Sequence, residues 1–378
     1  MQPEPARRAG RVFRRYSLAT DAFERELEAF EMKTCGTPDA VLVTSRMTYW
    51  YHGAADAIKR CRARWPRVPI VLGGIYATLC ADHARAHSGA DIVFEGDALE
   101  TFPTWLNERM PGGAKSVVSV SDDPETWPTP AFDLCHSRAA LPLLTSLGCP
   151  FQCTYCASRR LAPCFRRRSA DSVFREVRLH HKHWGAEDFV FYDDALLVDS
   201  AHFFEPFLDR VILSGLRVRF HTPNGLHYWL IDEGLADKMR RAGVETIRLS
   251  LETVDPERLT AWGRSGGVVE FRRSVEALRA AGFESAQIGV YIMAGVPGQT
   301  IDEVRRTIEA VRSTGAQPKL NEYSPIPGTA EWERAVERSG LEIVEEPLWQ
   351  NNSLYYTRPE SGLTREEFRV LQRLARGS

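Results

Sequence analysis

From about Leu141 to Tyr323 the chain alternates, six times over, a short run that reads as a strand with a longer stretch of helical period. The runs fall at 142–146, 188–192, 217–221, 246–251, 287–293 and 319–323. The stretches between them carry apolar residues at helical spacing, as in Phe271, Val275 and Leu278, and again in Ile301, Val304, Ile308 and Val311. Thr300 followed by Glu303 has the form of a capping box and sets the start of that last helix. Strands that alternate with helices pair in parallel, because a crossover helix returns the chain to the same end of the sheet. With each crossover right-handed, six such units predict a partial (β/α)6 TIM-like barrel over 141–330, its ligand site at the carboxyl ends of the strands.

The same alternation occurs earlier on a smaller scale. Strands are expected at 39–45, 69–72 and 91–95 and helices at 53–64, 77–87 and 98–110, giving a small parallel α/β, Rossmann-like domain over 39–110. Prolines and paired glycines without a sustained period make 111–140 a linker. Residues 331–378 read as a helical C-terminal extension, its last helix from Thr364 carrying Phe368, Leu371 and Leu374 on one face. Residues 1–38 read as a basic tail, with Arg7, Arg8, Arg11, Arg14 and Arg15, and a lead-in helix; they lack the apolar segment of a secretory signal.

Balanced charge narrows the partners: 48 basic against 50 acidic residues give a formal charge of −2, which calls for no nucleic acid. The basic run Arg166 to Arg168 is short, the form of a solvated loop. The longest near-apolar stretch, 288–296, is far below the roughly 20 residues that cross a bilayer, so no membrane partner is expected. Eight cysteines in a chain of 378 residues, three of them bunched together, favour metal chemistry in a reducing, cytoplasmic setting over a disulfide framework.

That bunch is Cys149-Pro150-Phe151-Gln152-Cys153-Thr154-Tyr155-Cys156, a C-x3-C-x2-C loop directly after the first strand of the second domain. Three thiolates at this spacing can grip three irons of a four-iron cluster and leave the fourth open to an exogenous ligand. Two alternatives stay open, a structural zinc site or a four-cysteine cluster without turnover, each closed by Cys164. Cys35, Cys61, Cys80 and Cys135 are scattered and read as small buried hydrophobes.

The loop resembles the signature of the radical S-adenosylmethionine (radical SAM) superfamily. The resemblance implies a [4Fe–4S] cluster on Cys149, Cys153 and Cys156, with S-adenosylmethionine chelating the open iron and cleaved reductively to a 5′-deoxyadenosyl radical. It implies hydrogen abstraction from a small-molecule or cofactor-like substrate, and an electron donor such as ferredoxin or flavodoxin. It also implies a cofactor-binding set: Tyr155 beside the last cysteine, Asp193 or Asp194 toward the methionyl amine, Ser250 and Glu252 toward the ribose, Arg264 toward the carboxylate, and Gly295 and Pro297 at the adenine. Asn224-Gly225 and 322–329 resemble segments lining the substrate cavity. His221, His227, Tyr291 and Tyr323 receive no chemical role.

The first domain, through Thr44 to Tyr51 and Val71 to Leu79, resembles the cobalamin-binding domain of one branch of that superfamily, a branch that includes cobalamin-dependent methyltransferases. It departs from the pattern in having three strands where five are usual, and in lacking a D-x-H-x-x-G segment. Retained cobalamin and a truncated domain kept for packing are both open, and methylation is expected only with the former.

Overall fold

The computed structural model describes residues 3–8, 19–34, 36–109, 121, 123–135, 137–340, 342–356 and 362–377. Most of the basic tail, Cys35 and the first part of the 111–140 linker lie outside them. The chain divides into two compact units, Met1–Val117 with Tyr323–Thr364, and Val118–Glu322 with Arg365–Ser378. The stretch 323–364 therefore belongs with the N-terminal elements, and the chain ends back in the second unit.

In the first unit, β1 (Val41–Ser45), β2 (Ile70–Gly74) and β3 (Ile92–Val93) form a parallel sheet in that order. Ile70, Val71 and Leu72 are buried, which is why this run is apolar throughout. Helix α1 (Tyr51–Arg64) buries Tyr51, Ala54, Ile58 and Cys61, the 3-4-3 stripe of one helical face. The helix expected at 77–87 is two, Ile75–Leu79 and Ala81–His87, broken where Cys80 leaves helical geometry at φ −130° and ψ 47°. The returning segment is tied in by Tyr51, whose hydroxyl donates to the Glu346 carboxylate at 2.9 Å. Leu348, Trp349 and Gln350 are buried behind it.

The second unit is built on β4 (Ala140–Leu143), β5 (Asp188–Phe191), β6 (Arg219–His221), β7 (Val244–Glu252), β8 (Ile288–Ala294) and β9 (Gln317–Glu322). All pair in parallel, and their order in the sheet is their order in the chain. Helices α2 (Ala170–Trp184), α3 (Phe204–Ser214), α4 (Glu233–Arg241), α5 (Val268–Ala280) and α6 (Ile301–Ser313) provide crossovers. This sequential order is the open six-stranded arrangement expected. Phe191, Phe207 and Phe220 pack at ring separations of 5.4 to 5.9 Å in its core. The last helix, α7 (Arg365–Arg376), buries Phe368 and Leu371.

The first strand is shorter than the 142–146 run because the chain turns out of the sheet. Ser146 and Leu147 pair antiparallel with Arg167 and Arg166, closing the cysteine segment into a loop with a two-residue neck. Two-residue strands carry no readable period, so this neck is a feature only the structure reveals. The basic run is likewise not solvated. Arg167 donates to the carbonyls of Ala195 and Leu196 at 2.8 and 3.1 Å, and Arg168 pairs with the buried Glu176 at 2.6 Å.

Candidate active site

The cysteine loop leaves its neck at Gly148, whose φ of 75° lies in the left-handed region. A Cβ there would stand 2.7 Å from the Cys164 carbonyl oxygen and 2.9 Å from that of Ala162, so glycine is the residue that lets the two sides of the loop close. Beyond it the loop docks on the connection that follows β7. The Thr154 N–H donates to the Trp262 carbonyl at 3.2 Å, and a Cβ on Gly263 would meet the Gln152 carbonyl oxygen at 2.9 Å.

The three thiols sense one another. Burial pushes Cys149 up to about 11, and the charges of Cys156, Cys153 and Asp194 push the same way. Cys156 is raised by burial and held back by hydrogen bonds from the Ser158 hydroxyl and N–H, at 3.2 and 3.4 Å. Among the described residues no three His, Cys, Asp or Glu side chains converge as one metal ion requires. A four-iron cube makes no such demand, since each thiolate takes a different iron. Three soft thiols that repel one another as thiolates, with no disulfide between them, fit a polynuclear cationic centre. Cys164 is exposed, and it is its carbonyl that lies against Gly148.

Around this loop the structure gathers most of the residues singled out in the sequence. Arg264 reaches Cys153 with one guanidinium nitrogen, 3.7 Å from Sγ, and Ser250 with another, at the backbone carbonyl and, at 3.0 Å, at Oγ. Its plane lies over the Trp229 ring, 5.1 Å from the centroid. Tyr155 packs edge-on to Trp262 at 5.3 Å, and burial, then the Glu252 charge, raise its phenol well above the usual range.

Glu252 ends β7 with φ 68°, a conformation costly for a residue with a Cβ. The register against β8 steps from Tyr291 opposite Ser250 to Ile292 opposite Glu252, skipping Leu251. The Thr253 N–H then bonds back to the Leu251 carbonyl at 2.9 Å, a γ-turn about Glu252. Its carboxylate is buried, with one oxygen unpartnered. Burial pushes it up to about 7, with the Arg264 charge acting the other way. A buried, unpaired acid on a strained turn is a group waiting for a donor.

The paired aspartates divide. Asp193 is buried, its carboxylate taking the Thr145 N–H at 3.1 Å and the Thr145 and Ser146 hydroxyls at 2.7 and 2.5 Å, so it ties β5 to the neck of the loop. Asp194 instead has Ser158 as partner, and its charge acts on Cys149 and Cys156. Gly295, at φ 90°, is covered by Phe368, whose ring would stand 2.9 Å from an added Cβ. Its N–H donates to Gln299 at 2.9 Å, so the turn containing Pro297 is a buried support for the strand end.

Three residues of the site, Phe151, His227 and Trp229, had been given no role from the sequence. His227 is buried, its Nδ1 without a partner, with Phe151 of the loop 4.3 Å away and Trp229 at 4.9 Å. Burial, aided by the Arg264 charge, drops its imidazole to about 3. Phe151 lies in the cysteine loop, whereas His227 and Trp229 sit close together in a much later segment; only the fold brings that pair against the loop. His221 is spent on Thr246 and Asp188, at 2.9 and 3.0 Å, and Tyr291 on the Pro223 carbonyl at 2.6 Å.

Residues 143–311 match the sequence profile of the radical SAM superfamily. That segment is a radical SAM domain. The superfamily uses a [4Fe–4S] cluster and S-adenosylmethionine, and the matched segment carries the cysteine loop near its start. An uncharacterized methyltransferase of Pyrococcus horikoshii is 26% identical over 327 residues, covering 79% of this chain and 70% of that protein. Cytidylyl-2-hydroxyethylphosphonate methyltransferase of Streptomyces wedmorensis is 27% identical, over 55% of this chain and 39% of its own. Among solved structures, the radical SAM methyltransferase TsrM of Kitasatospora setae superposes with a TM-score of 0.67 at 18% identity, over 84% of this chain and 69% of that one. The cobalamin-dependent radical SAM enzyme OxsB gives 0.63 at 13% identity, over 85% and 49%. At these identities the likeness is one of fold, and it spans both the radical SAM domain and the region around it.

Proposed function

We propose that this radical SAM enzyme is a methyltransferase acting on a small molecule, with cobalamin held by its first unit and Cys149, Cys153 and Cys156 holding the cluster. The observation that carries the second half of this reading is the convergence of the cysteine loop, Asp194, Arg264 and the buried Glu252 at the carboxyl ends of β4, β5 and β7. When bound, the cluster and the sulfonium supply one-electron chemistry that no side chain can provide. The chain's own task is to bind and orient. Asp194 offers a carboxylate to the amino group of the cofactor and Arg264 a cation to its carboxylate. Glu252, poised to accept or donate a hydrogen bond, serves ribose hydroxyls, with Ser250 held beside it by the Leu226 carbonyl at 3.0 Å. Tyr155 and Trp262 keep water from that side. A low-potential electron donor such as ferredoxin or flavodoxin is needed.

Cobalamin rests on the first unit and on the names of the relatives. At the carboxyl ends of β1 and β2, Met47 and Trp50 are exposed and a Cβ on Gly73 would meet nothing within 4 Å, an open apolar ledge. Gly74 is different: a Cβ there would stand 2.4 Å from Thr44 Oγ1, so it serves the closure of the strands. The S. wedmorensis relative is named a methyltransferase, and one TsrM structure is described as having cobalamin and a [4Fe–4S] cluster bound.

The test is anaerobic reconstitution with iron, sulfide and cobalamin, gel filtration, and incubation with methyl-labelled S-adenosylmethionine and reductant. Retained cobalamin and a methylated cobalamin are expected. A protein that holds the cluster but passes cobalamin through unretained keeps the radical SAM assignment and removes methylation by this route.

A further inference from the structure

Arg264 is placed in two ways at once. Its position suits a cofactor carboxylate, yet the contact it makes within the chain is with a cluster ligand, through a guanidinium nitrogen 3.7 Å from Cys153 Sγ. Three other features fix it there: the Ser250 carbonyl, the Ser250 hydroxyl at 3.0 Å, and the Trp229 face at 5.1 Å. Ser250 is itself locked, because the Gly225 backbone passes so close that a Cβ there would stand 2.6 Å from the Ser250 Cβ. A half-buried cation held on three sides and aimed at a sulfur is a built contact, and arginine cannot neutralise itself to escape it.

We propose that Arg264 is a positioning residue for the electron rather than for the substrate alone: its N–H donates to the Cys153 thiolate and sets the reduction potential of the cluster. The inference rests on Cys153 being a cluster ligand. Reduction adds one electron, delivered by a low-potential donor, to a centre already carrying negative thiolates. A cationic donor on one sulfur stabilises the reduced, more negative form more than the oxidised one, which raises the potential. Trp229 is the platform that holds the guanidinium in register. The chain thus lowers the demand on its donor at the middle cysteine of the three.

The experiment is an anaerobic potentiometric titration of the reconstituted full chain, followed by electron paramagnetic resonance, without S-adenosylmethionine so that cofactor binding does not enter. In Arg264→Gln, at iron content equal to wild type, the midpoint is expected to move to a more negative value, with Arg264→Lys between the two. An unchanged midpoint in Arg264→Gln overturns the proposal. Should the variants fail to load iron, the wild type labelled with guanidino-¹⁵N arginine decides. A ¹⁵N coupling to the reduced cluster in pulsed spectra is expected, and its absence overturns the proposal. A wild type that loads no cluster overturns the ligand assignment itself, an outcome distinct from a loaded cluster whose potential ignores Arg264.

Discussion

At the scale of single residues, the site is expensive to build and its cost is local. Gly148 holds a left-handed turn into a space closed by two carbonyl oxygens. Gly148→Ala is expected to cost about 1–3 kcal/mol in thermal or chemical unfolding, and to lower iron bound per chain after reconstitution; an unchanged iron content would show that the neck does not shape the loop. Glu252 carries its strain with an unpartnered oxygen. Glu252→Ala is expected to weaken S-adenosylmethionine binding roughly 10-fold or more, the loss of one hydrogen bond to a charged group, while iron content holds. Equilibrium dialysis against labelled cofactor reads it, and unaltered affinity would leave Glu252 a purely structural acid. The sequence showed which acids end strands. It could not show that Asp193 is consumed by Thr145 and Ser146 while Asp194 turns toward the cysteines, because neighbours in sequence differ here only in the direction each side chain takes.

At the scale of elements, the sheet is pinned by polar ties at its bottom and packing at its top. Asp188 on β5 pairs with Arg219 and His221 on β6, at 2.5 and 3.0 Å. The Arg219 guanidinium holds its carboxyl down at about 2. A group depressed in the folded state contributes stability that is complete above its unfolded value, near 3.9, and is lost as pH falls through about 2. Asp188→Asn is therefore expected to reduce stability at neutral pH and to flatten the fall between about pH 4 and 2, followed by circular dichroism; parallel curves for the two proteins would contradict it. At the other end, Phe368 of α7 fills the space over Gly295, and Phe368→Ala is expected to cost about 3–5 kcal/mol as a buried cavity. The six main strands were legible because each falls between helices of clear period, even where, as in β6 and β9, the strand itself is not apolar. The two-residue neck, the break at Cys80 and the γ-turn at Glu252 were not, since each is fixed by a tertiary contact or a single dihedral angle.

At the scale of the whole molecule, two units share a chain that enters the first, builds the second, returns to the first and ends in the second. The return could not be read from composition: 323–364 has ordinary helical segments, and it is contacts such as the hydrogen bond from Tyr51 to Glu346 and the burial of Leu348 to Gln350 that show where it belongs. The radical SAM domain was legible from three cysteines at a spacing few other chemistries use, because that spacing lies within one short loop. The aromatic floor of Phe151, His227 and Trp229 was not, because it comes from separate segments. What most needs proof is that Cys149, Cys153 and Cys156 hold the cluster and leave one iron for S-adenosylmethionine. It is tested most directly by the electron paramagnetic resonance spectrum of the reduced, reconstituted full chain before and after adding that cofactor, alongside Cys164→Ala. A spectrum that changes on addition is expected in wild type and Cys164→Ala alike, with 5′-deoxyadenosine released on turnover. A spectrum indifferent to the cofactor, or a cluster lost with Cys164, would contradict it.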